Sequence, residues 1–393
     1  MSMTIGLAGK PNSGKSTFFK ASTLADVEIA NYPFTTIHPN KGVTYVRVRC
    51  PCMERDHRCG NCVEGVRYVP IELIDVAGLV PGAHMGKGLG NTFLDDLRQA
   101  QAIIHVIDAA GCTDIEGNPI DIGCHDPVED VEFLNHEITM WMVGILKRNW
   151  QKVSRKVQGE NLKIERVLAE QLAGAGVEEP QVIESLLMTK LDHNISKWTD
   201  EEIIDLCDKI RMISKPMIIA ANKADIAPVQ NLEKLKEAGR FVVSTSAAAE
   251  LALRSASKTG AIKYDLGESD FSIITQDLSP AQQKALDSIR SFLHKMHNTG
   301  IQECINKAVF ELLDLIVVYP VEDEGKWTDK QGRMLPDAFL MKRGSNAHQL
   351  AFKVHSDIGE GFLYAVDAKT KMRLGEKHEL ENGSVVKIVS TAK

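Results

Sequence analysis

Residues 9–16 read Gly9-Lys10-Pro11-Asn12-Ser13-Gly14-Lys15-Ser16, and they follow the short apolar run Thr4-Ile5-Gly6-Leu7-Ala8. Ser16-Thr17-Phe18-Phe19-Lys20-Ala21 then opens an amphipathic helix. The eight residues fit G-x-x-x-x-G-K-[ST] in the strand–loop–helix setting that the pattern requires. Glycine lets the backbone curl until successive N–H groups point inward at phosphate oxygens, and the helix behind adds the positive end of its dipole. Gly9, Asn12, Ser13, Gly14, Lys15, Ser16 and Thr17 are the expected phosphate-binding residues, with Lys15 reaching the β- and γ-phosphates and Ser16 ligating Mg²⁺. The competing account, a glycine-rich turn matching by chance, explains neither the strand before the loop nor the helix after it.

Three more stretches each close an apolar run. Asp75-Val76-Ala77-Gly78 follows Val69-Pro70-Ile71-Glu72-Leu73-Ile74. An acid there holds Mg²⁺ through water, and the Gly78 N–H meets the γ-phosphate. Asn222-Lys223-Ala224-Asp225 closes Met217-Ile218-Ile219-Ala220-Ala221. The Asp225 carboxylate can accept from N1–H and the exocyclic amine of guanine, whereas adenine offers neither donor, and a carboxylate left unpaired is costly. Ser244-Thr245-Ser246-Ala247 closes Phe241-Val242-Val243, so backbone groups of Ser246 and Ala247 are expected to finish the base pocket. Each short motif alone is weak. Four of them at strand ends occupy the crevice where open α/β sheets bind ligands. The expectation is an α/β fold, a P-loop NTPase G domain that binds GTP or GDP with Mg²⁺ and hydrolyses GTP.

A fifth stretch, Asn31-Tyr32-Pro33-Phe34-Thr35-Thr36-Ile37-His38-Pro39-Asn40-Lys41-Gly42, resembles the first switch of the Obg family of GTPases. The run from Asp75 through Gly82-Ala83-His84-Met85-Gly86-Lys87-Gly88-Leu89-Gly90-Asn91 is similar to that family's second switch. The resemblance implies Thr36 as the switch-I ligand of Mg²⁺ and γ-phosphate. Mg²⁺ then falls to Ser16, Thr36 and Asp75, and catalysis to Lys15, Thr36 and Gly78. Within the family the likeness is to archaeal relatives of the YchF branch, whose bacterial and eukaryotic members lack the guanine-reading Asp and prefer ATP. Asp225 is present here, which favours GTP.

In Ras-like enzymes a glutamine after D-x-x-G orients the attacking water. Here that residue is Leu79, so the water must be positioned otherwise. Related G domains with an Asn in the loop, as Asn12 here, can bind K⁺, and a cation beside the phosphates would neutralise developing charge. Asn12 as a simple brace of the loop is the alternative. His84 and His105 are expected to be structural rather than catalytic.

Between Thr36 and Asp75 the chain needs only a hairpin of two strands of about six residues each, yet an extra segment intervenes. Its Cys50, Cys52, Cys59 and Cys62 suggest metal before disulfide in a reducing compartment. They offer a tetrahedral thiolate site for a structural Zn²⁺, with His57 as a spare ligand, or else a loop of free thiols. The Cys-x-Cys half is tighter than the usual spacing.

Between Asp75 and Asn222 two βα steps need about 60 residues, and the excess reads as helices: one through Phe133–Leu146, then Asn161–Leu172, Gln181–Leu191 and Thr199–Ile213. The tail changes to strands, Leu315–Val321, Phe362–Val366 and Ser384–Val389, around one helix capped by Ser345. That pattern suggests a β-grasp and resembles the TGS domain of threonyl-tRNA synthetases, GTPases and stringent-response enzymes. The expected division is a discontinuous OBG-type G domain over 1–127 and 206–311, a helical insertion over 128–205 and a TGS-like β-grasp domain over 312–393.

At net charge −7 the whole molecule is not steered toward nucleic acid, which argues against DNA as a partner. The basic run Lys147, Arg148, Lys152, Arg155 and Lys156 reads as a solvated face. No apolar run approaches the ~18 residues of a membrane helix, and the N-terminal residues lack signal-peptide character, so a cytoplasmic protein is expected. The family resemblance and its TGS domain imply a ribosome or tRNA-related particle as partner.

Overall fold

The computed structural model of the chain describes residues 3–23, 40–76, 82, 96–159, 162–192, 194–275 and 277–391. The chain divides into two compact units: Met1–Asp26, Thr36–Thr44 and Glu72–Ala308 form one, and Val27–Thr35, Tyr45–Ile71 and Val309–Lys393 the other.

A six-stranded sheet runs in the order β2-β3-β1-β4-β5-β6, from β1 (Thr4–Ala8), β2 (Lys41–Arg49), β3 (Val66–Asp75), β4 (Ala102–Asp108), β5 (Met217–Asn222) and β6 (Val242–Ser244). β1 pairs in parallel with β3 and β4, β4 with β5, and β5 with β6. Parallel strands covered on both faces are apolar along their length. All seven residues of β4 are accordingly buried, His105 and Asp108 included. The helices of this unit are α1 (Lys15–Thr23), α2 (Pro127–Arg148), α3 (Trp150–Gly159), α4 (Ile164–Leu172), α5 (Glu179–Met188), α6 (Asp200–Ser214), α7 (Val229–Ala238), α8 (Ala247–Lys258), α9 (Pro280–Met296) and α10 (Ile301–Lys307), with a two-stranded ribbon of β7 (Ile262–Lys263) and β8 (Ser272–Ile273).

α2 starts where Asp126 accepts from the Val128 N–H at 3.1 Å and Pro127 takes the first helical position. Its Leu134, Ile138, Met142 and Leu146, spaced at helical period, are fully buried. They share one core with Ile74 and Ile103 of the sheet and with Leu168, Leu172, Leu206 and Ile210 of α4 and α6. Each such burial contributes roughly 1.5–3 kcal/mol. The helices expected over 128–205 are thus present, but their apolar faces merge with the sheet's core instead of closing on themselves. α4 is described from Ile164, Asn161 lying outside the described residues, and Thr199 caps α6 in a capping box with Glu202.

In the second unit five strands run β10-β9-β13-β11-β12: β9 (Leu315–Val321), β10 (Phe339–Lys342), β11 (Phe362–Asp367), β12 (Arg373–Leu374) and β13 (Val385–Ser390). β9 and β13 are parallel, and the other pairs antiparallel. α11 (Ala347–Val354) lays Ala347 and Leu350 against Ile316, Val318, Ala365 and Val386, and the short α12 (Ser356–Glu360) follows. This is the expected β-grasp. The cap of α11 is Asn346, paired with Gln349, and not Ser345. Among the described residues no helix is long and apolar enough to cross a membrane.

Candidate nucleotide site

The loop 9–16 joins β1 to α1. Gly14 holds φ +92, and a Cβ there would meet the Asn222 amide nitrogen at 2.2 Å. Only glycine fits a backbone held so close in the left-handed region. Lys15 pairs through Nζ with Asp75 Oδ1, and the Ser16 hydroxyl donates to Asp75 Oδ2 at 3.3 Å. An ammonium, a hydroxyl and a carboxylate converging at one strand end are the donor set that Mg²⁺ and a phosphate chain require. Among the described residues, the Ser13 hydroxyl lies buried in the same loop without a partner. Thr17 sits half-buried in the first turn of α1. Thr36, Gly78, Leu79 and His84 lie outside the described residues.

Asn222 binds the site's segments to one another. Its Nδ2 donates to the Ser13 carbonyl at 2.9 Å, and its Oδ1 accepts from the Ala247 N–H at 3.0 Å and the Thr245 hydroxyl at 3.4 Å. The Ser246 N–H donates to the Thr299 carbonyl at 2.9 Å, and the Ser246 hydroxyl caps α8. The N–H groups of Ser246 and Ala247 are therefore engaged within the protein. Asp225 is exposed beside them, on a turn anchored by the Ala224 N–H donating to the Thr245 carbonyl at 3.0 Å.

Asn12 adopts φ +59 and donates through Nδ2 to the Gly117 carbonyl at 3.0 Å. That bond ties the phosphate loop to the turn at Gly117.

Beneath the loop runs a buried polar chain that motif spacing did not reveal. Asp108, 0% exposed at the end of β4, accepts from the Thr113 hydroxyl at 2.7 Å and the Cys112 N–H at 3.2 Å, and pairs with Lys223 Nζ at 3.0 Å. Burial would raise its carboxyl, but Thr113 and Lys223 outweigh that and hold it below the usual range. The Thr113 carbonyl accepts from Lys10 Nζ at 2.9 Å, and Lys10 pairs with Asp130 of α2 at 2.9 Å. Asp130 lies 2.9 Å from His125 Nε2, and burial pushes its carboxyl up against the pull of Lys10. The only sequence signal was a charged residue at a strand end and another in a helix's first turn. On the same helix, Glu137 accepts from the buried Gly82 N–H at 2.8 Å, gripping a residue of the second switch stretch.

His105 is 3% exposed, and burial, aided by Lys10, pushes its imidazole down to about 3. It is neutral, in keeping with a structural role. An unfolded chain takes up that proton near the ordinary value, so the stability tied to a neutral His105 is complete above pH ~6.5 and is lost as pH falls toward 3. Between pH 7 and 4.5 the wild type should lose roughly 3 kcal/mol more in urea unfolding than His105→Leu. Equal losses would mean that His105 does not set the acid limit.

In the cysteine segment the four Sγ atoms lie within 4.8 Å of one another, with Cys50–Cys59 at 3.6 Å and Cys52–Cys62 at 3.5 Å. His57 is exposed and outside the group.

Comparison with known proteins agrees with this geometry. A family model described as 50S ribosome-binding GTPase matches residues 4–140. The Obg-like GTPase YGR210-like, G4 motif-containing domain matches 220–323, and the TGS domain matches 330–390. These matches, with the loop and the guanine motif seated on one parallel sheet, define a P-loop GTPase domain joined to a TGS domain. The chain belongs to the Obg-like GTP-binding proteins: it is 53% identical to an uncharacterized GTP-binding protein of Methanocaldococcus jannaschii, over 99% of both chains. A crystal structure of a GTP-binding protein from Pyrococcus horikoshii superposes with a TM-score of 0.79 at 42% identity, covering 99% of this chain and 100% of that one. The ribosome-binding ATPase YchF of Mycoplasma genitalium is 27% identical, over 92% of this chain and 87% of its own.

Proposed function

We propose that this chain hydrolyses GTP to GDP and phosphate as a molecular switch acting on the ribosome or a tRNA-related particle in the cytoplasm. The observation that carries the hydrolytic reading is the convergence of Lys15 and Ser16 on Asp75, the only place among the described residues where an ammonium and a hydroxyl of the phosphate loop meet one carboxylate. When bound, Mg²⁺ would be held by Ser16 and Asp75, with Thr36 as the further ligand, and would neutralise charge on the phosphates. Lys15 would orient and stabilise the β- and γ-phosphates, with the Gly78 N–H beside them. Lys223 and Asp225 would receive the base. The ribosomal partner is supported by the matched family's description and by the name of the Mycoplasma relative.

That relative is named an ATPase, which favours ATP as the second reading; the carboxylate of Asp225 weighs against it. A nucleotide-dependent adaptor that recruits a protein partner is the remaining alternative. K⁺ is proposed as the charge-neutralising cation beside Asn12, and Zn²⁺ enters only as a structural ion. The modular division 1–127 with 206–311, 128–205 and 312–393 is proposed as the frame of the switch.

The test is nucleotide turnover with GTP or ATP, with and without ribosomes, in KCl and in NaCl. GTP turnover that rises at least fivefold with ribosomes and falls in NaCl is the expected result. Equal rates with and without ribosomes would remove the ribosomal partner, equal rates in the two salts would remove K⁺, and faster ATP turnover would install the second reading.

A further inference from the structure

Four cysteines outside the nucleotide site form a centre of their own within the second unit. The insert 50–65 closes through the Cys50 N–H donating to the Gly65 carbonyl at 2.8 Å. A 3₁₀ turn over Pro51–Glu54 brings Cys52 back toward Cys50. Gly65 takes φ +85, and a Cβ there would meet the Met53 sulfur at 2.5 Å, so the second half of the loop folds tightly onto the first. Cys50 is 1% exposed and Cys52 0%, while Cys59 and Cys62 are half-buried.

The spacings of 3.6 and 3.5 Å are far from the ~2.05 Å of a disulfide. They are close to the ~3.8 Å edge of a tetrahedron built from 2.3 Å zinc–sulfur bonds. The Asn61 N–H donates to Cys59 Sγ at 3.4 Å, the outer-sphere bond that steadies a ligating thiolate. Charge points the same way. Arg67 is 6% exposed, donates to the carbonyls of Asn61 at 3.2 Å and Pro336 at 2.9 Å, and pairs with no carboxylate among the described residues. A buried cation needs a counter-charge, and four thiolates around a divalent ion carry a net double negative charge. The Tyr319 hydroxyl, buried without a partner among the described residues, feels both Arg67 and the sulfurs of Cys50, Cys52 and Cys59.

We propose that Cys50, Cys52, Cys59 and Cys62 bind one structural Zn²⁺, and that this ion shapes the loop tip into the piece that holds the segment 322–337 of the C-terminal domain. The loop's side chains show the fit. Asn61 Nδ2 donates to the carbonyls of Met334 at 3.1 Å and Leu335 at 3.3 Å. The Arg55 guanidinium lies 4.5 Å over the Trp327 ring and donates to the Gly325 carbonyl, and Glu54 pairs with Lys369 at 2.8 Å. Each of these residues lies within three positions of a proposed ligand, so the ion fixes their directions. All four coordination positions are filled by protein, so the centre has no place for a substrate or a reactive water. It is independent of the nucleotide reading.

The test uses the full chain purified without chelator. Elemental analysis should give near one zinc per chain and no optical absorption of an iron–thiolate centre. Stripping the wild type with a chelator should speed amide exchange in 322–337 at least tenfold, and adding Zn²⁺ alone should restore protection. Cys52→Ser should show the same exchange without repair by Zn²⁺. If that variant fails to fold, the reversible stripping of the wild type decides. An iron-coloured protein, or thiols that take up no Zn²⁺, would overturn the metal. Bound zinc whose removal leaves 322–337 protected would overturn its role in holding that segment.

Discussion

Asp225→Asn should lower GTP affinity by roughly 10³-fold and raise affinity for xanthosine triphosphate in return. The guanine edge presents two donors to this position, N1–H and the exocyclic amine. A carboxylate accepts from both, whereas an amide accepts from one and turns its own donor toward the other. Xanthine carries a carbonyl where guanine carries the amine, so the new donor finds an acceptor there. The swap is readable because Asp225 is exposed and makes no ion pair among the described residues, while the frame around it hangs on Asn222 and Ala224. Phosphate binding through Lys15 and Ser16 should survive, so the loss appears in the base and not in the triphosphate. Competition of GTP, ATP and xanthosine triphosphate for a labelled nucleotide measures all three affinities. A GTP affinity unchanged in the variant would separate Asp225 from the base and leave the guanine preference without its residue.

Whatever depends on local pattern was readable in the chain. β1 and β9 fall where continuous apolar runs put them, to the residue, because strands buried on both faces have little freedom to be polar. The phosphate loop and the guanine motif were legible for a related reason, since close backbone approach to a ligand restricts residue type at fixed offsets. Two things were not. The chain from Lys223 through Asp108, Thr113 and Lys10 to Asp130 joins residues far apart in sequence, each ordinary in its own element. Its meaning arises only when β4 and α2 pack. The ties of the Ser246 and Ala247 N–H groups to Thr299 and Asn222 are likewise set by residues from elsewhere in the fold. The cysteine cluster lies between these cases. Its spacing suggested a metal site or a loop of free thiols, but its attachment to 322–337 required the second unit to be folded.

Lys15→Ala should lower GTP turnover by roughly 10²–10³-fold while leaving the fold intact. In the present structure the lysine pairs with Asp75, the same carboxylate that receives the Ser16 hydroxyl. On the proposed reading, Asp75 and Ser16 would hold Mg²⁺ when the triphosphate is bound, and the Lys15 ammonium would be free to meet the phosphates. Removing the ammonium therefore removes charge where the transition state gathers it, on the oxygens shared by the β- and γ-phosphates. If Lys15 also holds the ground-state triphosphate, as proposed, KM should rise together with the fall in kcat. The cost in stability should be small. Asp75 keeps partial access to water at 19% side-chain exposure, and such a half-screened pair contributes about 1 kcal/mol or less. Melting temperature and single-turnover hydrolysis, read on the same preparation, separate the two effects. A variant that melts like the wild type and turns over within tenfold of it would take the γ-phosphate away from Lys15. A variant that melts far below it would mean that the pair with Asp75 is a structural tie of the loop, and that the loop's shape, rather than its charge, depends on this lysine.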